Sequence, residues 1–174
     1  MEQVELTRIL GNTFDFVNGL DDRQNKIIVK KEDFKGVVLK LKNYGFDMLS
    51  LISSVDYEKS YNVIYHFLST TKNKTLLLEV FLYKEEYKET CQESHKEPCK
   101  ESCKEACKGK ECTIETLSDI YPSANWLERE VFDLMGIKFK DHKELTRILL
   151  PLDWEGYPLR KDYEMVAEYH GIKR

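Results

Sequence analysis

Two hydrophobic rhythms organise this chain. Phe34, Val37, Val38, Leu41 and Tyr44 fall at i, i+3, i+4, i+7 and i+10. That spacing predicts an amphipathic helix with one buried face, and Gly45 stands where the helix should stop. A period of two follows. In Tyr61 to Ser69, Tyr61, Val63, Tyr65 and Phe67 share one face of a strand, while Asn62, Ile64, His66 and Leu68 share the other. Asp47 to Tyr57 predicts a strand before it, and Thr75 to Tyr83 one after it. Leu76-Leu77-Leu78 and Val80-Phe81-Leu82 imply that both faces of the last strand are covered. The links Glu58-Lys59-Ser60 and Thr71-Lys72-Asn73-Lys74 are short, which favours antiparallel hairpins over crossovers. Upstream, Val4 to Leu10 predicts a short helix stopped by Gly11-Asn12. Asp21-Asp22 marks a turn, and Ile27-Ile28-Val29 a short strand. The sum is an α+β fold: a small, largely antiparallel sheet with helices on one face, followed by a helix and an extended C-terminal tail.

Both rhythms fail between Lys84 and Cys112, where Lys and Glu dominate. Read in fours, the segment repeats: Lys88-Glu89-Thr90-Cys91, Gln92-Glu93-Ser94-His95, Lys96-Glu97-Pro98-Cys99, Lys100-Glu101-Ser102-Cys103, Lys104-Glu105-Ala106-Cys107. Cys91, His95, Cys99, Cys103 and Cys107 therefore recur every fourth residue, and on a helix such neighbours meet. Cys103 and Cys107 could grip one soft metal ion with Cys99 joining them, and thiolates with imidazole suit zinc or copper(I). The simpler reading is a tetrad expansion in a solvated loop. Pro98 interrupts any helix, the separated cysteine pairs of a zinc ribbon are missing, and an iron–sulfur cluster would find no hydrophobic shell here. All five cysteines, Cys112 included, lie in this one segment, and an odd number argues against a disulfide framework.

The globular pattern resumes at Thr113. Tyr121-Pro122-Ser123 introduces a helix to about Met135, with Gly136 as its stop. Leu127, Val131 and Leu134 form one apolar stripe; Trp126, Glu130 and Asp133 form another line at i, i+4 and i+7. The two carboxylates on that line repel unless a cation sits between them, and Arg129 is an i, i+4 partner of Asp133. Beyond Gly136 no long periodic run appears, and Pro151, Gly156 and Pro158 break what there is. The tail is expected to be mostly extended and held down by contacts outside itself. It carries His142, Arg147, Arg160 and Lys161. The expectation is an ion-pair latch in which Glu128, Arg129, Glu130 and Asp133 meet Arg147, Arg160 and Lys161. Catalysis finds no support: there is no HExxH pair, no glycine-rich phosphate loop, no Gly-x-Ser-x-Gly elbow and no Cys-x-x-Cys. A lone His142 beside acids is read as structural, and so is His66 within its strand.

Composition narrows the picture further. With 174 residues and a hydrophobic fraction of 41% the chain supports one domain with a core. That domain divides into an α+β body (1–83), the repeat loop (84–112) and a helix with an anchoring tail (113–174) belonging to the same domain as the body. A net charge of −4 argues against nucleic acid as a partner. Met1-Glu2-Gln3-Val4-Glu5 lacks the basic and apolar regions of a secretory signal, and no run approaches the roughly 18 apolar residues of a membrane span. The chain is expected to be cytosolic, or peripheral to something larger.

Residues 124–139, Ala-Asn-Trp-Leu-Glu-Arg-Glu-Val-Phe-Asp-Leu-Met-Gly-Ile-Lys-Phe, together with His142, Leu145, Arg147-Ile148-Leu149 and Gly156-Tyr157-Pro158-Leu159-Arg160-Lys161-Asp162-Tyr163, resemble the C-subunit family of respiratory complex I, the small hydrophilic subunit of NADH:quinone oxidoreductase. Related subunits occur in membrane-bound energy-converting nickel–iron hydrogenases and in ferredoxin- or F420-dependent dehydrogenases. The resemblance is strong from Ile120 to Tyr163 and weaker over Leu49 to Leu82, where Asp56-Tyr57 and Val63-Ile64-Tyr65-His66-Phe67-Leu68 carry it. Lys143 and Thr146 replace the family's usual Pro and Arg, and Tyr157 a frequent His, which suggests a divergent, hydrogenase-like branch. The resemblance implies a scaffold subunit with no cofactor of its own, on the cytoplasmic face of the membrane and attached to it only through the complex. Its partners would be a large subunit with the quinone or nickel–iron site and a small iron–sulfur subunit. Iron–sulfur clusters, nickel–iron, flavin or quinone would reside in those partners. Trp126, Glu128, Arg129, Glu130, Asp133, His142, Arg147, Pro158, Arg160, Lys161 and Asp162 would be structural or interface residues.

Overall fold

A computed structural model describes residues 3–11, 13–17, 25–84, 112–165 and 168–173. Helix α1 spans Gln3–Leu10 and strand β1 Phe14–Val17. Then come β2 (Asn25–Val29), α2 (Phe34–Tyr44), β3 (Met48–Asp56), β4 (Ser60–Ser69) and β5 (Lys74–Tyr83). After the repeat segment follow β6 (Thr113–Glu115), α3 (Ala124–Met135), β7 (Lys138–Lys140), β8 (Glu168–Tyr169) and β9 (Ile172–Lys173).

The period-3.6 face of α2 is the face it buries: Phe34, Val37, Val38 and Leu41. Gly45 takes φ +115°, which lets its N–H reach the carbonyls of Leu41 and Lys42 and closes the last turn. The five-stranded sheet runs in the order β1-β2-β5-β4-β3. Strands β3, β4 and β5 form the two antiparallel hairpins that their short links demand. Two features depart from the sequence pattern. β2 pairs with β5 in parallel, with Ile27 opposite Leu78, and β1 adds an edge strand antiparallel to β2. The fold is nonetheless mixed α+β, with a mostly antiparallel sheet.

One face of the sheet makes the core. Ile27, Leu78, Tyr65 and Ile52 sit side by side across it, as do Leu76, Phe67 and Leu49, all buried in one cluster with α2 and with Leu6 and Leu10 of α1. An aromatic row runs through it: Phe34–Tyr65 at 4.7 Å, Tyr65–Phe67 at 6.3 Å and Phe67–Tyr121 at 5.5 Å between centroids. On the other face of β5, Leu77 and Phe81 are only half-buried, and between them Glu79 is buried beside Lys26 (2.6 Å) and the Asn62 amide (2.8 Å). So the second face of β5 is partly covered, and it carries a paired charge.

The C-terminal third joins this body directly. β6 pairs in parallel with β7, Ile114 opposite Phe139, with α3 as the crossover between them. The Tyr121 hydroxyl donates to Phe46 O (2.7 Å), and Ser123 Oγ donates to Leu49 O (2.9 Å). Beyond β7 the tail is not mostly extended. It is a series of turns closed by the short β8–β9 hairpin, because Pro, Gly and Asp recur faster than a strand can form. Among the described residues no helix is long and apolar enough to cross a membrane.

Tyr121→Phe keeps the ring and strands one buried carbonyl. The unfolding free energy from urea titration should fall by about 1–3 kcal/mol. An unchanged midpoint would mean that this bond does not tie the C-terminal third to the sheet.

Candidate functional site

The residues that the sequence singles out converge on α3 and the tail folded against it. Buried positions on α3 are Ala124, Glu128, Arg129, Val131, Asp133 and Met135, so three of six are ionisable. Each of the three has found polar partners, as burial requires.

Asp133 is the centre. Its side chain is fully buried, and one carboxylate oxygen accepts the backbone N–H groups of Ile148 (2.9 Å), Leu149 (2.7 Å) and Leu150 (3.0 Å). The other oxygen meets Arg147 Nη1 at 2.9 Å. Arg147 also donates to Asp133 O and to Gly156 O. Burial alone would raise the Asp133 carboxyl; the three N–H donors and the Arg147 guanidinium outweigh it and hold the group below its ordinary value.

Arg160 occupies the helix C-terminus. Its Nε donates to Met135 O (2.7 Å) and its Nη2 to Gly136 O (3.3 Å), where free carbonyls and the helix dipole favour a cation. Tyr157 stacks between Arg147 (5.2 Å) and Arg160 (4.5 Å), and Tyr61 between Arg160 (5.3 Å) and Lys84 (4.5 Å). This alternation of cations and rings runs from the tail to the sheet. Gly136 makes the approach possible. Its φ is +70°, and a Cβ there would lie 2.5 Å from both the Arg160 guanidinium and the Tyr157 ring.

Asp56, at the end of β3, supplies a second anchor. It accepts the backbone N–H of Lys161 (2.8 Å) and pairs with the Lys84 ammonium. Burial would raise its carboxyl, but Lys84 and the Lys161 N–H bring it below the ordinary value. Arg129 fastens the tail one turn earlier, to Thr146 O (3.1 Å) and Thr146 Oγ1 (2.7 Å), while its guanidinium lies 4.9 Å from the Trp126 ring.

The latch therefore differs from the expected list of ion pairs. Asp133–Arg147 is a salt bridge. Arg160 binds helix carbonyls rather than a carboxylate, and Lys161 contributes its backbone N–H to Asp56 rather than a charge to α3. Among the described residues Glu128 meets no tail Arg or Lys: it accepts from the Leu117 N–H (2.6 Å) and Thr116 Oγ1 (2.6 Å), with His142 Nε2 at 3.9 Å. Glu130 and Asp162 are exposed, Trp126 is 61% exposed, and Pro158 is half-buried in the turn before Arg160. His66 is half-buried with Nδ1 2.6 Å from Ser50 Oγ. Asp56, Thr116, Tyr121 and Tyr157 carry weight that charge counting missed. The signal for Asp56 was available, as an Asp ending an apolar strand. Cys91, His95, Cys99, Cys103 and Cys107 lie outside the described residues. Among the described residues no three His, Cys, Asp or Glu side chains gather as a metal site.

Residues 27–169 match the family described as respiratory-chain NADH dehydrogenase, 30 Kd subunit. The chain belongs to this family. It is 38% identical to the NADH-quinone oxidoreductase C subunit of Trichlorobacter lovleyi over 83% of this chain and 77% of that protein. It is also 37% identical to the C subunit of the same enzyme from Chloroherpeton thalassium, over 74% of this chain but only 44% of that one. The chain thus spans less than half the length of one relative and about three quarters of another. Its fold is shared with the trypsin-resistant fragment of Nqo5 (TM-score 0.61, 21% identity, 82% of this chain and 98% of that one). It is also shared with a chain of the membrane-bound sulfane sulfur reductase, an archaeal respiratory membrane complex (TM-score 0.70, 19% identity, 94% and 84%). The α3 latch lies wholly within the matched family region.

Two variants test the latch. Asp133→Asn removes the partner of Arg147 and weakens an acceptor of three N–H groups; breaking such a buried pair costs about 3–5 kcal/mol. Limited proteolysis should then cut between 145 and 165 first. The carboxyl is depressed on folding, so its contribution is present above the ordinary value of 3.8 and lost as pH falls through the lower folded value. The acid limb of a Tm-versus-pH curve should flatten in the Asn variant. Gly136→Ala should lower stability by more than about 1 kcal/mol, since it adds a left-handed penalty to a clash with the Tyr157 ring and the Arg160 guanidinium. A Tm indistinguishable from the parent's would overturn the close approach of Tyr157 and Arg160.

Proposed function

We propose that this chain is a structural subunit, without a cofactor of its own, of a membrane-associated respiratory oxidoreductase of the NADH dehydrogenase or energy-converting hydrogenase kind. It packs on the large catalytic subunit, near the small iron–sulfur subunit, and supports electron transfer coupled to ion translocation. Iron–sulfur clusters, and nickel–iron, flavin or quinone, belong to those partners. The chain is peripheral, on the cytoplasmic side, and reaches the membrane only through the complex.

The observation that carries this reading is how the tail is held. Side chains of α3 bind the tail's backbone, and the tail then turns Leu149 (59% exposed), Leu152 (85%) and Leu159 (57%) to solvent. A segment fixed so firmly with large apolar groups facing outward is built to be covered by another surface. Family membership names the kind of complex that would supply the cover.

The test is recovery of the native assembly through an affinity tag on this chain. A large and an iron–sulfur subunit should co-purify. Leu149→Glu combined with Leu152→Glu should leave the Tm of the free chain nearly unchanged, since both side chains already face water, and should reduce recovery of the large subunit by about tenfold or more. Full recovery with the double variant would sink the tail as the docking surface.

A further inference from the structure

A second buried carboxyl, Glu128, has a different environment from Asp133. Its side chain is fully buried. It accepts two hydrogen bonds, from the Leu117 N–H and from Thr116 Oγ1, against four partners at Asp133. The charged groups around it are engaged elsewhere. From α2, Lys35 pairs with Asp119 at 3.0 Å. On α3 itself, the Arg129 guanidinium bonds Thr146. Asp119, from the turn after β6, only adds like charge. From β4, Tyr65 brings a hydroxyl that is fully buried, has no hydrogen-bond partner among the described residues and feels the Glu128 charge.

From the tail comes His142, also fully buried, with Nε2 3.9 Å from Glu128 Oε2. Its ring is committed at both nitrogens. Nδ1 accepts the Glu144 N–H (3.1 Å), so it carries no proton. Nε2 faces Asn125 O (3.3 Å), to which it can only donate. A charged Glu128 would be an interior anion with no Lys or Arg paired to it among the described residues, and with its nearest ring nitrogen, His142 Nε2, turned to a carbonyl.

We propose that Glu128 is a proton-binding switch. It holds a proton in the closed packing of the β6 turn, α3 and the 142–144 segment, and its ionisation loosens that junction. The protonated carboxyl fits the pocket, because its O–H donates to Thr116 Oγ1 and its other oxygen still accepts from Leu117. The ionised carboxylate must draw in water, and the path is to part the 116–118 turn or the His142 segment from α3. Burial pushes the carboxyl up to about 7, against the opposing pull of Thr116 and the Leu117 N–H. The folded state therefore takes up a proton. The stabilisation is full below the ordinary value of 4.5 and is lost as pH rises through about 7, opposite in sign to Asp133.

The experiment uses the full chain with carbon-13-labelled glutamate. The Glu128 carboxyl, assigned by difference from Glu128→Gln, should titrate between about pH 6 and 8. A midpoint in the ordinary carboxylate range, near 4.5, overturns the proposal. The Gln variant keeps one acceptor and one donor and mimics the protonated form. As pH rises from about 5.5 to about 8, the wild-type Tm should fall, and amide exchange at Leu117 and Glu144 should speed up beyond the intrinsic base-catalysed rise. Both changes should be absent in Glu128→Gln and retained in His142→Gln. Persistence of the slope in Glu128→Gln, or its loss in His142→Gln alone, would assign the titration elsewhere. If Glu128→Gln fails to fold, the wild-type carboxyl can still be identified by its disappearance in Glu128→Asp, and its midpoint alone decides.

Discussion

The C-terminal third of this protein depends on one constraint: peptide N–H groups that leave regular structure must find acceptors. The tail between 145 and 162 has almost no strand or helix of its own. Asp133 collects three consecutive N–H groups with one carboxylate oxygen, and Asp56 collects one more. The helix thereby does for the tail what a neighbouring strand would do in a sheet. Arginines then complete the charge balance, one at the carboxylate and one at the carbonyls that end α3.

Because backbone satisfaction outranks charge pairing here, some of the molecule was legible in the sequence and some was not. The alternation in β4 and the 3.6-residue spacing in α2 register burial directly, so their faces could be read from single residues. β1 could not: Phe14-Asp15-Phe16-Val17 is four residues long, too short for a period to emerge. Nor could the parallel pairing of β2 with β5, because the partner of a strand is chosen by topology and not by its own composition.

For the site, sequence expected α3 and the tail to meet but paired them by charge. Charge counting treats every carboxylate as seeking a cation. In the folded chain, backbone donors compete for the same oxygens. Glu128 and Asp133 lie on one helix, yet one is bonded by a turn that precedes the helix and the other by loops that follow it. Glu130, between them in sequence, faces solvent. Only the rotation of the helix against its neighbours separates these three, and a linear pattern with mixed apolar and charged positions does not encode that rotation.

Both ends of the repeat segment are tied into the fold. Lys84 N–H is bonded to Lys59 O, and Cys112 O accepts from Lys138 N–H. Burial raises the Cys112 thiol, and the nearby cations Arg160, Lys31 and Lys84 pull against that rise. Each exit is thus stapled, one before the repeat begins and the other after it finishes. Lys84 and Cys112 are thus held by the body itself, and a change in the length of the sequence between them meets the rest of the chain only through these two stapled exits.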